Sequence, residues 1–160
     1  LSMVKEAGLT VLRRSQMQTE KDIVERPEVI ILDTIGELGR LYSLADVVFV
    51  GGSFVKVGGH NILEPAAHGK PILVGPHMFN FRDIFEILSR RGACIMNANQ
   101  KDFEKTVFQL LHDPARIKRM GIAALEVVRE NQGATQRNID FFEKLTKEYN
   151  IELMENSHGS

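Results

Sequence analysis

The feature that most constrains this chain is a repeated alternation of short apolar runs with helical patterns. Such alternation with short loops predicts a parallel sheet flanked by helices, which is an α/β fold. A continuous apolar run bounded by glycine is typical of a parallel strand covered on both faces, and we expect this of residues 46–50, DVVFV. The strand-like runs are residues 10–14, 29–33, 46–50, 71–75 and 93–96.

Helical patterns dominate after the last strand-like run, over residues 101–113, 114–131 and 134–150. Pro114 suits the first position of a helix, and Gly133 is expected to separate the last two helices. We expect this helical C-terminal extension to pack outside the sheet or to cross to another domain. One domain is predicted over residues 1–150, followed by a disordered tail, residues 151–160. Because the chain opens inside a helix-like segment, LSMVKEAG, a fragment of a longer protein is expected.

Composition excludes several classes of protein. The 20 basic residues are balanced by 21 acidic ones, so the net charge of -1 gives no electrostatic case for nucleic-acid binding. Cys94 is the one cysteine; an intrachain disulfide is therefore impossible, and a reducing compartment is expected. The sequence has no apolar run of roughly 18 residues that would span a bilayer. It also has no His/Cys/Asp cluster with metal-ligand spacing.

The loop GGSFVKVGGHN (51–61), after the third strand-like run, predicts a binding site for an anion. Neither the Walker A spacing nor the G-x-G-x-x-G spacing is present, which argues against a P-loop kinase and a dinucleotide dehydrogenase. A glycine-rich turn between a strand end and a helix start nevertheless favours phosphate binding. Gly58 and Gly59 would permit positive φ and a close approach to a phosphate, with His60 and Asn61 as side-chain donors. A glycine-rich connection without a ligand is the alternative.

Glu64 has two interpretations that the residues alone leave open. Asn61-x-x-Glu64 matches a capping box, in which the carboxylate serves its own helix. Pro65 disfavours helical backbone at Glu64, so the helix would then begin at Pro65 and free the carboxylate to bind ribose hydroxyls.

Two further strand-end loops carry candidate residues. In DTIGEL (33–38), Thr34 as N-cap with Glu37 three residues later predicts a second capping box. In GPHMFNFRD (75–83), His77 is a candidate acid or ligand. No Ser-His-Asp arrangement can be assembled, so we expect the chain to bind a nucleotide without carrying the full chemistry.

The stretch from DTIGEL through GGSFVKVGGHNILEP to GPHMFNFRDI resembles the C-terminal domain of bacterial 3-deoxy-D-manno-octulosonic acid (Kdo) transferases. The similarity runs from about Val29 to Gln136 and includes NQGATQR. The resemblance implies a Rossmann-like parallel sheet flanked by helices, as the C-terminal half of a GT-B glycosyltransferase fold, with the first strand of that half upstream of Leu1. It implies CMP-Kdo as the sugar donor and no cofactor. A metal is not expected either, because the sequence places no carboxylate pair to hold a cation against the phosphate.

The resemblance also implies roles for individual residues. The resemblance places Gly58, Gly59, His60 and Asn61 around the CMP phosphate and assigns ribose binding to Glu64. The residues that it places along the sugar-donor cleft are Gly36, Glu37, Leu38, Ser53 and Phe54. It places His77 and Asn80 near the Kdo moiety. Lys56 is left without a role.

The remaining expectations concern the whole enzyme. No catalytic residue is expected in this chain, because the family's general base lies in the N-terminal half, which would also bind a lipid A precursor and the membrane. The reaction implied is inverting displacement of CMP, at the cytoplasmic face of the bacterial inner membrane. The isolated chain is expected to be soluble and inactive, and a dimer of it is one candidate assembly. The alternatives are another GT-B glycosyltransferase, an enzyme similar to UDP-GlcNAc 2-epimerase, and a non-catalytic nucleotide-binding module.

Overall fold

The computed structural model describes residues 2–17 and 27–148. They divide into two compact units, within residues 1–45 and 46–160. A single domain over residues 1–150 therefore stays a prediction, and the predicted tail, 151–160, lies outside the described residues. None of the described helices has the length and apolar character needed to cross a membrane.

The first unit contains a pair of parallel strands between two short helices. Its elements are α1 (Ser2–Glu6), β1 (Val11–Arg13), β2 (Val29–Ile31) and α2 (Leu38–Tyr42). Val11 lies opposite Val29 in the register of the two strands. Just before the pair, the Glu28 carboxylate accepts hydrogen bonds from the backbone and hydroxyl of Thr10, at 2.8 and 3.1 Å. These bonds fix where the pairing begins.

The second unit is a three-stranded parallel sheet in the order β3-β4-β5 with helices between the strands. Its elements are β3 (Val48–Phe49), α3 (Leu63–Ala67), β4 (Ile72–Val74), α4 (Arg82–Arg90), β5 (Cys94–Met96), α5 (Gln100–Leu111) and α6 (Pro114–Glu148). The prediction of parallel strands flanked by helices is thus confirmed. Cys94 is buried in β5, as expected for its place in an apolar run.

The central strand β4 is buried on both faces of the sheet, as its uninterrupted apolar sequence predicts. Ile72 and Val74 belong to one apolar cluster, which includes Ile62 and Leu88. Leu73 belongs to a second cluster, with residues of α5 and α6. Because successive side chains of a strand point to opposite faces, the two clusters cover the two faces of this sheet.

The expectation that residues 46–50 are covered on both faces is wrong. Strand β3 is only two residues long, and the side chain of Phe49 is 41% exposed. Strand β3 lies at the edge of its three-stranded sheet, where a side chain has a neighbouring strand on one side only. The amides of Val48 and Val50 donate to the carbonyls of Pro71 and Leu73 at 2.9 and 3.0 Å. The backbone groups of Phe49, between them, therefore face away from β4.

The predicted break at Gly133 is also wrong, because α6 continues without interruption from Pro114 to Glu148. Glycine inside a helix costs about 1 kcal/mol relative to alanine, which weakens a helix without ending it. The start is as predicted: Pro114 occupies the first position, and the Asp113 carboxylate accepts a hydrogen bond from the Arg116 amide at 2.8 Å.

Helices α3 and α6 pack so closely that glycine is required on both sides. Gly69 follows α3 with φ of 64°. A Cβ on Gly121 of α6 would overlap the carbonyl oxygen of Gly69, and a Cβ on Gly69 would lie 2.9 Å from a methyl carbon of Leu125. The end of α3 is therefore in direct backbone contact with α6.

Candidate nucleotide-binding site

The loops that follow β3 and β4 are joined by backbone hydrogen bonds. The His77 amide donates to the Ser53 carbonyl at 2.9 Å, and the Asn80 amide donates to the Gly58 carbonyl at 3.2 Å. The Asn80 side-chain amide also donates to the Val57 carbonyl at 3.0 Å. Two motifs that are about 20 residues apart in the sequence are thus brought together at the carboxyl ends of parallel strands, where ligands bind in such sheets.

Ser53 is buried at the base of these loops, with no exposed surface. Its hydroxyl donates to the Val50 carbonyl at 2.6 Å and accepts from the Gly75 amide at 2.8 Å. The hydroxyl therefore ties the end of β3 to the end of β4. The structure places Ser53 beneath the surface of the loops, where it supports them.

Gly58 and Gly59 are buried and have the positive φ values, 99° and 77°, that their sequence predicts. A Cβ on Gly58 would lie 2.5 Å from side-chain atoms of Phe79 and Asn80, and a Cβ on Gly59 would overlap the Met78 sulfur. Glycine is needed at both positions because the second loop packs directly against them. The exposed polar groups of this segment belong instead to the next two residues, His60 and Asn61.

At Glu64 the structure shows neither the standard capping box nor a helix that begins at Pro65, and the ribose interpretation stays a prediction. Helix α3 begins at Leu63, so the expectation of a helix start at Pro65 is wrong. Proline fits here because the first-turn amides of a helix have no intrahelical acceptor. Glu64 accepts a hydrogen bond from the side-chain amide of Asn61 at 3.1 Å, and Asn61 accepts from the Leu63 amide at 3.0 Å. The Glu64 side chain is exposed at the start of the helix, beside His60 and Asn61 in the sequence.

Phe54 belongs to a cluster of three aromatic rings. It stacks on Phe49 with 5.6 Å between centroids, and Phe103 of α5 meets both rings edge-on at 4.9 and 6.1 Å. Such ring pairs stabilise beyond their buried area. Phe54 therefore anchors the first part of the loop to β3 and α5.

The other candidate residues, Gly36, Glu37 and Leu38, lie in the first unit. Gly36 has φ of 86°, and the Leu38 side chain is 49% exposed. The predicted capping box is wrong, because α2 begins at Leu38, too late for Thr34 to cap it. The Thr34 hydroxyl instead donates to the Glu37 carboxylate, as does the Arg14 guanidinium at 2.8 Å. These hydrogen bonds, that of Thr34 first, lower the pKa of Glu37 and keep it ionised.

A cavity of about 470 Å³ lies beside the second loop, and one of its lining residues, Arg82, is not among the candidates from the sequence. Arg82, the first residue of α4, lines it together with Phe79, Asn80 and Asp83. In the sequence, Arg82 comes directly after the GPHMFNF motif, and this position is the feature that could have drawn attention to it. In residues 2–17 and 27–148, no group of three or more His, Cys, Asp or Glu side chains is placed to hold a metal ion.

Comparison with known proteins assigns the chain to a family. Residues 18–127 match the family described as "Glycosyl transferases group 1". The 3-deoxy-D-manno-octulosonic acid transferase of Haemophilus influenzae is 40% identical over 139 residues, which are 86% of this chain and 32% of that protein. The transferase of the same name from Bordetella pertussis is 37% identical over 142 residues, 89% of this chain and 33% of that protein. The chain thus spans about a third of the length of these curated relatives.

A solved structure is similar as well. The crystal structure of the C-terminal CMP-Kdo binding domain of WaaA from Acinetobacter baumannii is 31% identical, with a TM-score of 0.71. The match covers 79% of this chain and 65% of that chain. These findings confirm the predicted resemblance to Kdo transferases and the Rossmann-like GT-B assignment. The family match spans more than half of the sequence, and the chain belongs to the group 1 glycosyl transferases.

Proposed function

We propose that this chain binds the sugar donor CMP-Kdo in an enzyme that transfers Kdo to a lipid A precursor. The observation that carries the proposal is the hydrogen-bonded pair of loops at the ends of β3 and β4, in a fold similar to a CMP-Kdo binding domain. In this proposal the acceptor and the membrane are bound by other parts of the enzyme, which acts at the cytoplasmic face of the inner membrane.

The exposed polar groups at the start of α3 are the proposed contacts to CMP. His60 and Asn61 donate hydrogen bonds to the phosphate, and the Glu64 carboxylate accepts them from the ribose hydroxyls. The Asn61 amide holds the Glu64 carboxylate at 3.1 Å, so the two side chains are oriented together before the ligand arrives. Gly58 and Gly59 act indirectly, because their buried backbone lets residues 77–80 support this segment from below.

These groups stabilise a leaving group. When an acceptor hydroxyl displaces CMP from the anomeric carbon with inversion, negative charge accumulates on the departing phosphate. Donors fixed toward that phosphate lower the barrier because they need no reorganisation during the reaction. The base that activates the acceptor hydroxyl lies outside this chain in our proposal.

Calorimetric titration of the chain with CMP and UDP tests the proposal. We expect CMP to bind and UDP to bind much more weakly. Glu64→Ala should weaken CMP binding by about 1–3 kcal/mol, the cost of leaving hydrogen-bonded hydroxyls without partners. Glu104→Ala is the matched control, because Glu104 is also exposed on a helix and accepts a side-chain amide hydrogen bond, from Gln100 at 2.8 Å.

Three results would contradict the proposal. The first is that UDP binds with the same affinity as CMP, which would indicate another glycosyltransferase or an epimerase-like enzyme. The second is that Glu64→Ala lowers helix stability and leaves the affinity for CMP unchanged. The isolated chain, given CMP-Kdo and a lipid acceptor, could turn over, which would refute the assignment of the base to another part of the enzyme.

A further inference from the structure

A cavity of about 670 Å³ opens along the outer edge of β5, between the end of α4 and the first turns of α6. Three of its lining residues are arginines, and none is acidic. We call it the arginine pocket. Its lining consists of Ser89, Arg91, Gly92, Cys94, Ile95, Met96, Arg116, Arg119 and Met120.

The charge of the arginine pocket is mostly uncompensated. Arg91 pairs with the Glu130 carboxylate, and this partner raises the pKa of Arg91. Arg116 and Arg119 have no carboxylate partner among the residues that the structure describes. Like charges that line one concave surface repel each other and concentrate positive potential there.

The helix dipole of α6 gives no reason for an arginine at position 116. Helix α6 begins at Pro114 and has no acidic residue in its first turn, where Arg116 stands, and Arg119 follows in the second turn. A positive side chain in the first turn opposes the helix dipole, an effect that fades beyond that turn and that the Asp113 carboxylate at the start of α6 offsets in part. A local cost without a structural gain is typical of functional positions.

The edge of β5 adds uncharged hydrogen-bond donors to the pocket. The backbone amide of Asn97 donates to the Val74 carbonyl at 2.8 Å, and the Ile72 amide donates to the Ala93 carbonyl at 3.1 Å. Between residues 93 and 97, every second residue therefore pairs with β4. The backbone amides of Cys94 and Met96 alternate with these and point away from β4. In the described part of the chain, no strand pairs with that side of β5. Both amides therefore face the side on which the pocket lies.

We propose that the arginine pocket binds a phosphate group carried by a partly apolar molecule. Guanidinium groups pair with phosphate oxygens through two parallel hydrogen bonds, and the planar fork of arginine suits this geometry better than lysine does. The buried Met120 and the half-buried Ile95 provide an apolar wall for the remainder of the ligand. Two sources have this chemistry: a soluble phosphomonoester, and the headgroup of an anionic phospholipid.

The test is a titration of the isotope-labelled chain with inorganic phosphate, followed by NMR. The backbone amides of Gly92, Cys94 and Met96 report on the pocket, separately from those of the loop at residues 51–61. We expect their signals to shift saturably, and Arg116→Gln combined with Arg119→Gln to weaken binding about tenfold or more. The matched control is Lys118→Gln combined with Arg129→Gln. It removes the same charge from exposed positions of α6 outside the pocket and should leave the affinity within about twofold.

Vesicle sedimentation then identifies the source of the phosphate. Binding to phosphatidylcholine vesicles that contain phosphatidic acid, lost in the Arg116/Arg119 variant, assigns the pocket to a lipid headgroup. Saturable phosphate binding without vesicle binding assigns it to a soluble phosphomonoester. The proposal is overturned if the three amides do not respond to phosphate or vesicles, or if both double variants bind equally. It is also overturned if CMP displaces phosphate from these amides, because the pocket would then belong to the nucleotide site.

Discussion

Replacing Ser53 by alanine tests whether the paired loops depend on one buried hydroxyl. The substitution removes the hydrogen bond to the Val50 carbonyl and leaves the Gly75 amide without its partner, in a site with no exposed surface. A buried polar group without a partner costs about 1–3 kcal/mol, and two groups are affected. We therefore expect the free energy of unfolding to fall by about 2–4 kcal/mol, which lowers the melting temperature by roughly 5–15 °C for a chain of this size.

Urea unfolding followed by circular dichroism measures this loss, and amide hydrogen exchange at Gly75 locates it. Ser43→Ala is the control, since the Ser43 hydroxyl donates to the Arg40 carbonyl at 2.7 Å but is exposed. Exposed hydrogen bonds of this kind contribute little, and the control should change stability by less than about 0.5 kcal/mol. If the two variants lose the same small amount and exchange at Gly75 is unchanged, Ser53 does not hold the two strand ends together.

Two further predictions concern buried positions of the same sheet. Gly75→Ala should destabilise by about 1–3 kcal/mol or more in thermal unfolding, because its Cβ would overlap the Ser53 backbone. Gly39→Ala, in α2 with open space around the new carbon, should be neutral or stabilising, and equal effects would contradict the packing argument. Burial raises the pKa of the Cys94 thiol from 9.0 to about 12. The unfolded chain therefore binds fewer protons than the folded one between these values, and stability should fall by about 1.4 kcal/mol per pH unit as pH rises. Cys94→Ala should lack this contribution, so the wild-type and variant stabilities, measured by urea unfolding at several pH values, should converge above pH 9; parallel profiles would refute it.

Elements whose sequence pattern has one physical solution were predicted well. The apolar run at residues 71–75 contains β4, which is buried throughout, and the helix predicted to start at Pro114 begins there. The predictions that failed are those in which a local rule was given too much weight. Gly133 weakens a helix without ending it, and Pro65 fits the first turn of α3 because its missing amide has no intrahelical acceptor there.

The internal arrangement of the candidate site was not predictable from local patterns. The hydrogen bonds from His77 to Ser53 and from Asn80 to Gly58 join separate loops, and no periodicity encodes such pairing. The glycines at positions 58 and 59 were correctly expected to have positive φ. Their burial against Met78 and Phe79 depends on tertiary packing, which the composition of the loop does not reveal.

The contact between Gly69 and Gly121 has a consequence for variants far from any ligand. Because the backbone of α6 touches Gly69, just after α3, we expect a shift of α6 to move α3 and with it Glu64 in the first turn of α3. Helix α6 has 35 residues and is about 50 Å long, so a small tilt at one end is a large displacement at the other. A side chain added at Gly121 would push α6 away from Gly69. We expect this to change the affinity for the nucleotide, although position 121 does not contact the candidate binding residues.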